Sequence, residues 1–479
     1  MVFSSPTFLF LFLPILLAVY LLVGSRLKNF VLLIASLFFY AWGEGWFVLI
    51  MLGSITANYV LGILIEANRD RALGFWLIAA AVAGNLLLLI SFKYANFIAD
   101  NVAGSLGFLG IPSVELAPIH LPIGISFFTF QAMSYVIDIY RGTNQSQKNP
   151  INLALYISLF PQLIAGPIVR YHDIAGQLSS RSVGVEDFSI GIRRFIIGFA
   201  KKMIIANPLG EMGDRIFALP AAEISPEVAW LGILFYALQI YFDFSGYSDM
   251  AIGLGRMLGF RFLENFNYPY ISQSIQEFWR RWHISLSNWF RDYLYIPLGG
   301  NRSGNFRTYF NLVTVFVLCG FWHGASWNFL IWGLIHGAFL VIERLGVGKL
   351  LDLLPRIFRH VYVLFVVTIA WVFFRVETLP EAFAYLASMF DLGSSPAKYS
   401  DLGTYYNDTI LFTLALGLIF SSPLIPWFGG RVREMDILQR TSTRTVLDLA
   451  VVSGYVAVFF LGLTYLAAGT YNPFIYFRF

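Results

Sequence analysis

The sequence predicts an all-α polytopic membrane protein, and three observations predict it. Hydrophobic residues make up 58% of the 479-residue chain and charged residues only 13%, with a mean hydropathy of +0.68. A soluble domain carries about 25% charge, so too little polar side chain is present here to cover a water-facing surface. Apolar runs long enough for a membrane recur along the chain. The 48 Phe, 25 Tyr and 12 Trp often stand beside charges at the ends of those runs, where amphipathic rings sit at headgroup level. The net charge of +4, from 32 basic and 28 acidic residues, is too small to imply a nucleic-acid partner and fits basic loops on one side of a bilayer. Cys319, the single cysteine, excludes an internal disulfide and a thiolate metal cluster.

The first run, 8–23, reads as an uncleaved anchor. Residues 1–7 carry no charged side chain, no small-residue cleavage site follows, and Arg26 and Lys28 come after the run. Further runs lie near 30–41, 46–65, 73–92, 121–139, 151–168, 228–260, 309–340, 358–374, 409–424 and 446–468. At about 20 residues per crossing they give roughly ten to twelve membrane segments. Pro and Gly break the shorter runs, whereas 228–260 and 309–340 are long enough for tilted, kinked or paired helices. Arg26/Lys28, Arg69/Arg71 and Arg141/Lys148 occupy alternate loops, which the positive-inside rule places in the cytoplasm, with the N-terminus outside. Lys93 is an exception to this scheme. The same rule assigns residues 170–202 and 431–444 to the cytoplasm. No internal repeat or low-complexity tract is visible. The chain reads as one integral membrane domain, with a core over about 1–345, additional C-terminal segments over 355–479, and a loose extension after about 380.

The chemistry concentrates in 241–336. Asp243, Tyr247 and Asp249 lie in an apolar context, where an ionised carboxylate costs several kcal/mol unless paired or wet. Asp243 and Tyr247 share a helical face. They could take part in ligand binding or catalysis, or equally form a polar knot that locks two helices. Glu277 precedes Arg280 and Arg281 at ion-pair spacing, in a stretch of interleaved aromatics that reads as an interfacial helix. Its arginines could meet phosphates or merely snorkel.

Phe321-Trp322-His323-Gly324-Ala325-Ser326-Trp327-Asn328 is the sharpest feature. A histidine inside an apolar run is a functional hypothesis by default, and imidazole suits proton transfer near neutral pH. Gly320 and Gly324 leave room beside it, and on a continuous helix Ser326 and Trp327 share its face. His336, thirteen residues on, falls on another face and reads as structural. His120, His172 and His360 read as solvated residues at segment ends. No metal-ligand spacing is present, nor any HExxH, Walker, GxSxG or kinase signature.

Several blocks resemble those of the membrane-bound O-acyltransferase (MBOAT) family, and within it the branch of membrane subunits that serve bacterial alginate O-acetylation. They are Leu121-Pro122-Ile123-Gly124-Ile125-Ser126-Phe127, Leu163-Ile164-Ala165-Gly166-Pro167, Tyr241-Phe242-Asp243-Phe244-Ser245-Gly246-Tyr247-Ser248-Asp249 and Asn267-Tyr268-Pro269-Tyr270. Glu277-Phe278-Trp279-Arg280-Arg281-Trp282-His283, Arg291-Asp292-Tyr293 and Trp322-His323-Gly324 complete the match, which reaches to about residue 345. The resemblance implies a bundle with re-entrant elements around a central funnel, where a cytoplasmic thioester donor meets an acceptor from the other side. It implies that His323 is the histidine of the catalytic tunnel and His283 a second polar position, His or Asn in relatives. It implies acetyl-CoA as donor with no permanently bound cofactor, the bacterial inner membrane with a periplasmic N-terminus, and delivery to an exported polysaccharide, alginate foremost, through a periplasmic SGNH-type or related partner. Relatives that acetylate cellulose or peptidoglycan, or that transfer D-alanyl groups, look similar.

With those roles, His323 is the expected general base and His283 an orienting group. Arg280 and Arg281 are expected to contact the phosphates of acetyl-CoA, while Asp243, Tyr247, Asp249 and Asn328 are supporting polar residues. A precursor transporter is the competing class; it predicts repeated halves with matching broken helices, and no such repeat is visible. An assembly scaffold would leave His323 dispensable.

Overall fold

The computed structural model describes residues 1–110, 116–302, 304–392, 398–433, 441–469 and 471–474. Among these residues every regular element is a helix, apart from one isolated bridge between Ile224 and Tyr399. Helices suit this composition because hydrocarbon offers no water to pair exposed backbone groups. Six helical tracts are long and apolar enough to cross a membrane: Lys28–Asn68, Ala72–Phe108, Pro226–Met257, Trp327–Leu353, Arg356–Arg375 and Thr445–Ala468. A bent pair, Asp408–Phe420 with Leu424–Arg431 at 67°, makes up to seven. These tracts are fewer than the expected segments partly because Lys28–Asn68 contains two helices, divided at Gly45, where φ is 57°. In addition, the 151–168 run forms only short helices.

The chain divides into two compact units, residues 1–191 with 251–263 and residues 192–250 with 264–479. The first contains α1 (Leu13–Leu22), α2 (Lys28–Glu44), α3 (Val48–Asn68), α4 (Ala72–Leu89), α5 (Ala95–Phe108), α6 (Ile125–Arg141), α7 (Pro150–Ser158), α8 (Phe160–Leu163) and α9 (Tyr171–Ser179). It also holds the start of α10 (Val185–Ala200). Within it α6 is buried along nearly its whole length and packs on α3 and α4. Gly124 begins α6 at φ 76°, and a Cβ there would lie 2.6 Å from the Leu163 carbonyl oxygen, so only glycine fits. Asn58 and Asn85 exchange amide hydrogen bonds at 3.2 and 2.8 Å, which satisfies both buried side chains.

The second unit contains α11 (Asn207–Phe217), α12 (Pro226–Met257, to Met250), α13 (Ile275–Arg281), α14 (Ile284–Phe290), α15 (Asn305–His323) and α16 (Trp327–Ile342). It continues with α17 (Gly348–Leu353), α18 (Arg356–Arg375), α19 (Leu379–Met389), α20 (Asp408–Phe420), α21 (Leu424–Arg433) and α22 (Thr441–Ala468). The 228–260 run is one unbroken helix through Met257, whereas 309–340 is a pair, α15 and α16. Small residues bring that pair together. A Cβ on Gly320 would lie 2.1 Å from the Phe329 carbonyl oxygen, and one on Gly333 would lie 2.2 Å from that of Phe316.

The chain beyond 380 is tied into this unit, not loosely appended. α19 starts with a capping box between Thr378 and Glu381 and packs on α18. The Tyr385 hydroxyl donates to the Ala229 carbonyl at 2.8 Å, and the Tyr471 hydroxyl to Asp214 at 2.7 Å. Of the 431–444 stretch expected in the cytoplasm, residues 434–440 lie outside those described.

Candidate active site

α15 ends at His323 because Gly324 is extended, at φ −167° and ψ 149°, and Ser326 opens α16 from a β conformation. The 309–340 run is therefore a pair of helices broken beside the histidine, so Ser326 and Trp327 do not share its helical face as expected. His323 is 4% exposed. Its ring meets Trp322 at 4.9 Å, Trp332 at 5.1 Å and Phe374 at 5.1 Å, all edge-to-face, and Trp332 and Phe374 are buried. These aromatic contacts favour T-shaped geometry and hold the imidazole in an apolar wall.

His283 joins α13 to α14 and is fully buried. It adopts the left-handed conformation at φ 43°, unusual for a residue with a side chain. Asn265 holds it from a distant part of the chain. The Asn265 side-chain oxygen lies 3.1 Å from His283 Nδ1 and accepts from the Ser285 backbone N–H at 3.1 Å and the Ser285 hydroxyl at 2.9 Å. The Asn265 carbonyl also accepts the Ile284 N–H at 3.0 Å. Phe244 stands edge-on to the His283 ring at 4.6 Å, and Trp322 lies 6.3 Å away. Trp322 is thus a common neighbour of both site histidines.

The other predicted polar residues form a frame. Asp243 pairs with buried Lys202 at 2.6 Å, and Lys202 also donates to the Pro473 carbonyl at 2.6 Å. Asp249 receives Arg194 at 2.7 Å and Lys201 at 2.8 Å, while Arg194 also pairs with Glu264. Reciprocal close approach at Gly198 and Gly246 lets this happen: a Cβ on either would lie 2.4 or 2.7 Å from the other's carbonyl oxygen. Arg194, Lys201 and Lys202 therefore lie in helical structure as counterions, within the stretch 170–202 that the positive-inside rule assigns to the cytoplasm. Tyr247 packs against Phe474, ring centroids 4.6 Å apart. Asn328 donates to the Val376 carbonyl at 2.7 Å, joining the start of α16 to the end of α18 that carries Phe374.

Arg280 and Arg281 part company. Arg281 binds Glu277 at 2.9 Å and the Asn267 carbonyl at 3.0 Å. Arg280 is exposed and makes no hydrogen bond or ion pair among the described residues. It lines a cavity of about 200 Å³ with Gln276, Ser287, Arg291, Phe316 and Cys319. Cys319 lies one helical turn before His323 on α15.

His336 is fully buried, and its Nδ1 accepts the Trp279 indole N–H at 3.2 Å. The remaining histidines are also partnered. His172 bonds Asp138 at 2.9 Å, His120 bonds Glu44 at 3.0 Å, and His360 bonds the Ser272 carbonyl at 3.1 Å. The structure thus gathers His323 and His283 around Trp322 and adds Asn265, Trp332 and Phe374, which sequence reasoning missed. No local signal links Asn265 to His283; the pairing joins residues 18 apart, on either side of α13.

Comparison with known proteins gives one family. The model of the membrane-bound O-acyltransferase family matches residues 142–374. Probable alginate O-acetylase AlgI of Pseudomonas aeruginosa is 50% identical over 400 residues, covering 82% of this chain and 76% of that relative. The protein of the same name from Azotobacter vinelandii is 42% identical over 505 positions and covers both chains in full. Peptidoglycan O-acetyltransferase of Helicobacter pylori is 37% identical over 429 positions, covering 82% of this chain and 80% of that relative.

Proposed function

The chain belongs to the membrane-bound O-acyltransferase family, and from that premise we propose that it acetylates an exported polysaccharide, alginate. In this proposal acetyl-CoA is the cytoplasmic donor and a periplasmic SGNH-type or related partner carries the group to the polymer. The proposed setting is the bacterial inner membrane with the N-terminus in the periplasm. Alginate is favoured because two relatives at 50% and 42% identity are named for it.

The observation that carries the reading is His323 itself, a buried imidazole at a helix break and walled by aromatic rings. In the proposed step an acceptor hydroxyl oxygen attacks the thioester carbonyl carbon and its proton passes to His323. A C–O bond forms, the C–S bond breaks, and the departing thiolate takes a proton back to leave as thiol. General-base assistance of this kind contributes typically about 10²–10⁴-fold. His283 orients a substrate. Arg280, at the cavity that reaches Cys319, receives the donor's phosphates, since a guanidinium group suits that charge, while Arg291 beside it is held by Asp292. Arg281 serves the fold, and Asp243 and Asp249 clamp the helical frame.

The test is transfer from labelled acetyl-CoA in membranes holding wild type or His323→Ala at matched protein levels. The variant is expected to lose turnover by about 10²-fold or more. Equal turnover in both would remove His323 from the chemistry.

A further inference from the structure

Asn265 has no role assigned by the family match, yet its contacts constrain the chemistry of His283. Its side-chain oxygen is identified by the Ser285 backbone N–H, which can only donate, at 3.1 Å. The Ser285 hydroxyl, at 2.9 Å, reinforces that identification. The oxygen faces His283 Nδ1 at 3.1 Å. Two acceptors cannot share that contact, so Nδ1 carries the hydrogen. The opposite nitrogen, Nε2, is buried and has no hydrogen-bond partner among the described residues. No carboxylate pairs with the ring among them either, and an unpaired imidazolium in a fully buried place is costly. A neutral ring protonated at Nδ1 can only accept at Nε2. His283 is then unsuited to donate to an oxyanion, and suited to receive a hydrogen.

We infer that Asn265 is the positioning residue that holds His283 in its Nδ1–H tautomer, so that Nε2 accepts a hydrogen bond from an N–H or O–H of a bound substrate. Two features make the device rigid. Asn265 is fully buried and grips the 283–285 segment through both its side chain and its carbonyl. His283 is held at φ 43°, and Phe244 backs its ring edge-on. The kinetic part of the test rests on the acyltransferase reading above; the spectroscopic part does not.

The spectroscopic part uses ¹⁵N-histidine-labelled protein in lipid, with the His283 signals identified by their loss in His283→Gln. Wild type is expected to show a protonated Nδ1 and a bare Nε2, and Asn265→Leu a mixture. A protonated Nε2 in wild type, or an unchanged tautomer in Asn265→Leu, overturns the proposal, whatever the enzyme acylates. The kinetic part compares acetyl-CoA turnover. Asn265→Leu is expected to lower kcat by about 10²-fold. Asn265→Asp preserves the shape and the acceptor but favours the imidazolium. It is expected to stay active at alkaline pH and to move the acid limb of the pH profile upward by about one unit. A wild-type kcat in Asn265→Leu, or an unmoved limb in Asn265→Asp, overturns it. Repeating Asn265→Leu with an amide-free acetyl thioester locates the hydrogen. A penalty that disappears assigns it to the N–H groups of the donor arm, and one that persists assigns it to the attacking hydroxyl.

Discussion

At the scale of single residues, rarity was legible and pairing was not. A histidine in an apolar run announces itself, so His323 could be singled out before any fold was known. Lys202, Lys201 and Arg194 read only as basic residues in sequence because the carboxylates that neutralise them lie 41, 48 and 55 residues downstream. The two adjacent arginines illustrate the same gap. Arg281 is committed to Glu277 and a backbone carbonyl, while Arg280 opens onto the cavity. Arg280→Ala is expected to raise the donor KM severalfold with kcat nearly unchanged, whereas Arg281→Ala lowers the melting temperature without that KM effect; steady-state kinetics with acetyl-CoA and thermal melts in detergent separate them. His172 supplies a pH test. Its hydrogen bond to Asp138 raises its pKa above the ordinary value of about 6.5. A raised folded-state pKa means the pair's stabilisation is fully present below about pH 6.5 and is lost as pH rises through the raised value. Melting temperatures measured from acid to alkaline pH are expected to fall over that interval in wild type and to fall less in His172→Gln.

Elements were legible as lengths of apolar sequence, and a pair of helices over 309–340 was among the forms that length allows, but the position of the break was not legible. The 309–340 run carries enough hydrophobicity for one long helix, and hydropathy has no term for a turn buried among aromatic rings. Gly324 and the Ser326 start of α16 decide the matter, and they put Trp332 and Phe374 against His323. The glycines of α15 and α16 set how closely the two helices approach. Gly320→Val would drive a branched side chain into the Phe329 carbonyl, already 2.1 Å from a bare Cβ position. It is expected to separate the helices, lower the melting temperature and cut acetyl transfer even though no reacting group is touched. A melt and a transfer assay on the same preparation check both effects, and full activity at wild-type stability would contradict this account of the interface.

For the whole molecule, composition together with the long apolar runs forecast helices in a bilayer, because a helix satisfies its backbone within one such run. Orientation rests on a handful of basic residues, and some of those counted at first are internal counterions. The loop of Arg69, Asp70 and Arg71 remains a clean marker, with the Asp70 side chain 93% exposed. The chain has one cysteine, Cys319, and it is buried. In a Cys319→Ala background, Asp70→Cys is therefore expected to react with an impermeant maleimide in inverted vesicles and not in intact spheroplasts; the reverse pattern would invert the topology. The end of α15 carries a further consequence for the proposed chemistry. A helix terminates in carbonyl groups that point outward, and their aligned dipoles leave about half a negative charge at that end. His323 is the last residue of α15. In the step proposed above its imidazole takes a proton, and the new positive charge would arise at the negative pole of a nineteen-residue helix, in surroundings too apolar to screen it. In the proposed step the fold would thereby stabilise the charge-separated moment with main-chain dipoles fixed in advance.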